Sequence, residues 1–539
     1  MPSTTAGVTE DSPDEAAVGA LRGPHDPLHD ESRARHSRSG KGSGRKPWSR
    51  SAGLGLWGPL GAAAVGGVLR LVSLGRPHDF VFDETYYAKD ALSLLRFGYE
   101  QETIDDANEI ILASDGDWRS LEVFTGEPAF VVHPPAGKWI IAMGEWGLGM
   151  TPTGWRIAVA ILGTLAVFLL GRVMLRLTGN ALLATIAAGL LALEGVSLVL
   201  SRVAVLDGIL TFFVLLAFWA LLRQRDRDRA SPSASDKTPD ANTLWIRPWW
   251  WVAGAALGIA CSVKWSGLWF LLAFLALAAL WQVSTLKQQG TRGRWLTMLR
   301  RDAPVAIVSI VGVAAITYLM TWTGWLVTDG GWSRQYGAES SSLIPQALRA
   351  LWHYHVEIYA FHVSLAADHS YAASPWGWFV QARPTSMYYE SYSLGPECGY
   401  DKCSAAVVAL GNPVIWWAGT LALFHQVFRS VLVRDWRSSA VVVAVLAGWL
   451  PWLRYQDRTT FSFYSVVVVP FVIMALTLSL GRMLSGSGAS ARRRATGIVG
   501  VAAVLLATVL VAGWMYPVWT GQIIDFEQWQ LRMWWPSWI

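Results

Sequence analysis

An all-α protein that crosses a membrane many times is predicted by three features of the sequence. Hydrophobic residues make up 53% of the chain and charged residues only 15%, with a mean hydropathy of +0.33. Apolar runs of about 20 residues, enough to cross the hydrocarbon core as a helix, recur from one end to the other. The 32 tryptophans cluster beside those runs, as in Trp249-Trp250-Trp251, Trp416-Trp417 and Trp534-Trp535. Such positions suit amphipathic rings at a bilayer surface. The formal charge of +5 comes from basic loops between runs, so membrane lipid is the expected neighbour and nucleic acid is not. There is no strong internal repeat and no soluble catalytic domain.

Residues 1–50 are polar, with basic residues from Arg33 to Arg50, and read as a disordered cytoplasmic tail. No signal peptide precedes the first apolar run at 54–75, which is expected to remain as a span. The segment 76–153 holds fourteen acidic and five basic residues and is expected outside. Its apolar piece 139–150 is too short to cross and suits a helix lying along the interface. Further spans are predicted at 155–177, 181–200, 203–223, 248–264, 266–283 and 303–323. After a polar outer segment, 324–410, come 411–433, 438–453, 461–482 and 496–516, for a total of about eleven. With the N-terminus inside, the loops carrying Arg225, Arg227 and Arg229, then Lys287, Arg292, Arg294, Arg300 and Arg301, then Arg492, Arg493 and Arg494, all fall in the cytoplasm. The positive-inside rule favours that orientation and puts the Trp-rich tail, 521–539, outside. The tail suits an interfacial anchor or a lid over a cavity.

The chemistry concentrates at the outer ends of the spans. An acidic pair, Asp83-Glu84, follows the first span, and its two carboxyls are free to take different roles, one as a base and one orienting a substrate. Arg156, Arg202, Asp207, Lys264, Arg454 and Arg458 stand at or just inside outer span ends, where a charge is costly and therefore a functional candidate. Snorkelling to the interface is the alternative for each. Lys264 has a further alternative, neutralising a buried carboxylate such as Asp207. Carboxylates and cations gathered on one face suit a lipid-linked phosphate, with cations on the phosphate and a carboxylate acting on an acceptor hydroxyl. Cys261 reads as inert packing. Cys398 and Cys403 are a disulfide candidate that spacing alone leaves open.

The motifs occur in order: Phe82-Asp83-Glu84, His133-Pro134-Pro135 with Gly137-Lys138, Trp155-Arg156-Ile157, Ser201-Arg202 with Leu206-Asp207, and Ser262-Val263-Lys264-Trp265. Tyr354-His355, Phe361-His362, Ser374-Pro375-Trp376, Gly411-Asn412-Pro413 and Arg458 ahead of Phe463-Tyr464 complete the series. In it the chain resembles the protein O-mannosyltransferases, membrane enzymes of the GT-C class, and most of all their actinobacterial branch. The resemblance implies a GT-C catalytic domain over 51–520 in the cell membrane. It implies transfer of mannose, with inversion, from polyprenyl-phosphate-mannose to Ser or Thr hydroxyls of secreted proteins at the outer face. By the same resemblance Asp83 is the base and Glu84 positions the acceptor. Arg156, Arg202, Asp207, Lys264 and Arg458 are then donor-binding or scaffold residues, and His133 shapes the cavity. No metal or other cofactor is implied, the lipid-linked sugar being a substrate. A component of the secretion translocon is a candidate partner.

Two departures from the family pattern stand out. Eukaryotic members carry an acidic residue two places before His-Pro-Pro, where this chain has Val131; Glu127 is the nearest replacement. They also carry a β-trefoil in the outer segment, for which 324–410 is too short and lacks the strand pattern. His355 and His362, seven apart, share a helix face and read as structural. Two rival classes share part of the pattern: a GT-C enzyme acting on a lipid or wall polysaccharide, which has the same core chemistry, and a transporter, which would show repeats and broken helices at the midplane.

Overall fold

Local chemistry marks where the helices begin and end. The computed structural model describes residues 48–230, 247–339, 342–395, 398–484 and 490–539, so the tail expected at 1–50 lies almost wholly outside the described residues. The first half contains α1 (Trp48–Leu71), α2 (Glu84–Phe97), an antiparallel pair β1 (Gln101–Thr103) and β2 (Phe124–Pro128), α3 (Ala136–Leu148) and α4 (Pro152–Thr178). Then come α5 (Ala181–Ala192), α6 (Gly195–Val199), α7 (Leu206–Ala230), α8 (Pro248–Val263), α9 (Gly267–Gln288) and α10 (Arg294–Thr321). The second half holds α11 (Gln346–Ser364), β3 (Thr385–Gly395), β4 (Cys398–Ala409), α12 (Pro413–Phe428), α13 (Trp436–Arg454), α14 (Ser462–Leu484), α15 (Ala491–Trp519) and β5 (Ile523–Asp525).

Helix α4 starts where the Thr151 side chain accepts from Gly154 N, with Pro152 in the first turn, and stops at Gly179, whose φ of 68° needs no Cβ to be relieved. Asn180 then caps α5 by accepting from the amides of Leu182 and Leu183. Eight helices among the described residues are long and apolar enough to cross a membrane: α1, α4, α7, α9, α10, α13, α14 and α15; α5 and α8 are shorter and apolar. The molecule is therefore a membrane-embedded, multi-pass helical protein. Each predicted span carries a helical segment, but 181–200 is broken at Glu194 into α5 and α6. The Glu194 carboxylate accepts from Val196 N, Ser197 N, Asn412 N and the Trp416 indole, so the break is hydrogen-bonded throughout.

Packing at the centre is aromatic, with Phe218 of α7 lying 5.6 Å from Phe274 of α9 and 5.3 Å from Phe471 of α14, centroid to centroid. Helices α8 and α10 approach through a Gly-xxx-Gly face. A Cβ on Gly254 would lie 2.6 Å from the Ser309 carbonyl, and one on Gly258 equally close to that of Ala314. Small residues there let two backbones meet where lipid offers no hydrophobic drive.

The polar segment 324–410 contains strands that its sequence had not suggested. β3, β4 and β5 form an antiparallel sheet in that order, Tyr392 opposing Cys403 and Cys403 opposing Asp525. Cys398 and Cys403 are joined as a disulfide, closing a small loop within β4. The C-terminal tail supplies β5. Its Trp538 is buried and donates to the Gln381 carbonyl at 2.8 Å, while Arg532 donates to that of Trp514 at 2.8 Å. Helix α11 buries Leu351, Tyr354 and Ile358 against Trp322 and Trp325.

Candidate active site

A cavity of about 790 Å³ opens beside the first turn of α2 and is lined from α2, α3, α11, the α8–α9 turn and the approach to α14. Asp83 sits at its wall, one residue ahead of Glu84 and at the N-cap of α2. The preceding Phe82 has φ of 53°, a left-handed backbone that costs a bulky residue about 1–3 kcal/mol. Its ring is held edge-on by Phe461 and Phe463, each 5.6 Å away between centroids. That aromatic wedge holds the peptide turn that points Asp83 into the cavity.

Around Asp83 the groups are of both signs. The Tyr87 hydroxyl reaches Asp83 Oδ2 at 3.5 Å. Lys264, in the turn between α8 and α9, places Nζ 2.7 Å from Asp207 Oδ2 and 4.9 Å from the centre of the Tyr464 ring. Burial pushes the Asp83 carboxyl up to about 6; the Lys264 ammonium opposes that rise and the Asp207 charge adds to it. Arg458 donates from Nε to the His362 carbonyl at 3.1 Å. His362 Nε2 lies 2.8 Å from the Val132 carbonyl, which can only accept, so Nε2 carries the proton and Nδ1 faces the Arg458 guanidinium at 3.3 Å. Burial and then Arg458 push His362 down to about 4. The His133 ring lies 5.1 Å from that of His362, and burial, followed by Lys264, holds it well below the ordinary imidazole range. Burial thus disfavours the charged form of both imidazoles.

Several expected roles change on this geometry. Glu84 was expected to position the acceptor, but it is fully buried and does not line the cavity. Its Oε1 accepts from Arg156 Nε at 2.8 Å and Ala204 N at 2.7 Å, and its Oε2 from Arg156 Nη2 at 2.7 Å and Val81 N at 2.8 Å. All its acceptor directions are taken, because the carboxylate is the centre of a clamp. Arg156 spends its remaining donors on the carbonyls of Leu74, Pro77 and Asp79. Arg202 binds the carbonyls of Leu69, Arg70, Val72 and Ser73, closing the end of α1. Of the donor-or-scaffold candidates these two are therefore scaffold, and Asp207 is the partner of Lys264 behind the wall. His133, Lys264 and Arg458 reach the cavity with Asp83. Glu127, the nearest candidate for a second carboxylate, is exposed on β2 and absent from the lining. No residue of the C-terminal tail lines the cavity, so it is not a lid in this structure.

Another carboxylate lining the cavity is Asp90, which the sequence had not singled out. Burial pushes its carboxyl up to about 7, opposed by Lys138. The available signal was spacing: Asp83, Tyr87 and Asp90 recur at helical intervals on one face of α2.

A cavity lined by carboxylates and cations, gathered at one end of a bundle of apolar helices, suits a membrane-embedded transferase. The described fold aligns with that of the Saccharomyces cerevisiae protein O-mannosyltransferase Pmt1–Pmt2 complex bound to the sugar donor, with a TM-score of 0.68 at 15% identity, over 91% of this chain and 93% of that one. The fold is thus of the GT-C type. A family profile described as dolichyl-phosphate-mannose-protein mannosyltransferase matches residues 63–324, and one for the C-terminal four-TMM region of protein-O-mannosyltransferase matches 347–538. The polyprenol-phosphate-mannose–protein mannosyltransferase of Mycobacterium tuberculosis is 33% identical over 87% of this chain and 89% of its own length. That of Mycolicibacterium smegmatis is 33% identical over 91% and 94%. The chain belongs to the protein mannosyltransferase family.

Proposed function

We propose that this protein transfers mannose from polyprenyl-phosphate-mannose to Ser or Thr hydroxyls of secreted proteins, at the outer face of the cell membrane and with inversion. The observation that carries the reading is Asp83, a carboxylate with a near-neutral pKa, held in one cavity with Lys264 and Arg458. In the reaction the Asp83 carboxylate takes the proton of the acceptor hydroxyl, whose oxygen attacks the anomeric carbon of mannose. The bond from that carbon to the phosphate oxygen breaks, and its electron pair leaves on the lipid phosphate. Lys264 and Arg458 face the charge gathering there. Arg458 is bonded to no carboxylate among the described residues, so it brings a full charge, whereas that of Lys264 is partly balanced by Asp207. A translocon component remains a proposed partner, since emerging chains are the acceptors in this reading.

Transfer of radiolabel from polyprenyl-phosphate-mannose to a Thr peptide tests the proposal. Membranes holding the protein should label the peptide, and Asp83→Asn should lower kcat by at least about 100-fold, the usual worth of a general base. Label reaching only lipid or glycan would replace the acceptor class. Undiminished labelling by Asp83→Asn would remove Asp83 from its role.

A further inference from the structure

The end of the cavity away from Lys264 is short of positive charge. Asp90 stands seven residues after Asp83 on the same face of α2, so the two carboxylates are about 10 Å apart along the helix axis. Lys138 rises from the first turn of α3 with a side chain only 1% exposed, bonds Glu100 directly and holds Nζ 3.8 Å from Asp90 Oδ2. One buried ammonium therefore serves two carboxylates. Asp90 is 17% exposed at its side chain, faces the cavity and accepts no hydrogen bond among the described residues. Its surroundings do not make up the difference. Lys89, half-buried at the rim, is shared between Asp90 and Glu109, and Glu102 adds another carboxylate to the lining. Glu145, buried with both oxygens unbonded, has its carboxyl pushed well above the ordinary range by burial.

We propose that Asp90 determines acceptor specificity by binding a Lys or Arg side chain that flanks the Ser or Thr presented to Asp83. This rests on the cavity being the acceptor site. A cation from the acceptor supplies the charge that Lys138 cannot give to two partners at once, and a buried carboxylate gains most from such pairing. The spacing sets the register: an extended peptide advances about 3.3 Å per residue, so the basic residue falls within about three positions of the hydroxyl. The raised carboxyl of Asp90 agrees with a group the fold leaves partly uncompensated. Asp83 and Lys264 at one end handle the bond being made, and Asp90 at the other selects which peptide lies across the cavity.

The test is steady-state kinetics of the full-length protein in lipid nanodiscs at saturating donor. Two Thr peptides are compared, identical except for Lys or Gln two positions from the Thr. The unsubstituted protein should favour the Lys peptide about tenfold, through KM with kcat unchanged. Asp90→Asn should raise KM for the Lys peptide to that of the Gln peptide and leave the Gln peptide as it was, while Asp90→Glu retains the preference. Equal efficiency on both peptides in the unsubstituted protein, which needs no variant to fold, would overturn the role of Asp90 alone. Equal losses on both peptides in Asp90→Asn would make Asp90 a packing residue. No transfer to either peptide would overturn the acceptor reading beneath it.

Discussion

At the scale of the residue, Asp83 is set apart by its surroundings rather than by its type. Burial raises its carboxyl to about 6, with Lys264 restraining the rise. As the proposed base, Asp83 must be unprotonated to act, so activity is expected above that value and is expected to be lost as pH falls through it. We expect kcat/KM to decline about tenfold per pH unit below roughly 6, measured with a donor and peptide that do not titrate in that range. A limb near 4 instead would place the essential carboxyl in solvent. Glu84, its neighbour in the chain, shows why adjacency misleads. The two carboxyls leave the backbone on different sides of the first turn of α2, and only one faces the cavity.

Among elements, the clamp of Glu84 and Arg156 ties the start of α2 to α4, with both side chains wholly buried. Removing one partner leaves the other charged and unpaired, which costs about 3–5 kcal/mol. Glu84→Gln should therefore lower the thermal midpoint of the solubilised protein markedly, and it should not selectively raise KM for the acceptor. A raised KM with an unshifted midpoint would return Glu84 to the acceptor. This clamp was beyond reach of the sequence because its members are 72 positions apart and no periodicity links them. The apolar runs were legible, since each records lipid contact along its own length. Asp90 was legible in principle, by its spacing on α2, but only once that segment was known to be helical. The strands were hidden for another reason: β5 is three residues long and owes its existence to β4, more than a hundred positions earlier.

Across the whole molecule, α7, α8 and α9 share one polarity. Asp207 opens α7 while Arg227 and Arg229 close it, about 30–33 Å away along the helix axis. Lys264 ends α8 beside the start of α9, whose far end carries Lys287. Cavity and basic loops thus occupy opposite ends, and we propose that the cavity faces outside, as the positive-inside rule favours. A membrane-impermeant maleimide should label Leu343→Cys on intact cells and Gly290→Cys only after permeabilisation. The reverse pattern would invert the orientation.

The position of Asp83 at the N-terminus of α2 also bears on the interval between one transfer and the next. A base that has taken a proton must lose it before the next turnover, and a carboxyl near 6 does so at neutral pH with about tenfold preference. The amides of Tyr86 and Tyr87 bond back to the Asp83 carbonyl, so the first turn of α2 is formed and the positive end of the helix stands behind the carboxylate. That field favours the anion by about 0.3–1 kcal/mol. In the proposed role of Asp83, that field works against the rise caused by burial and so favours return of the carboxyl to its basic form between transfers.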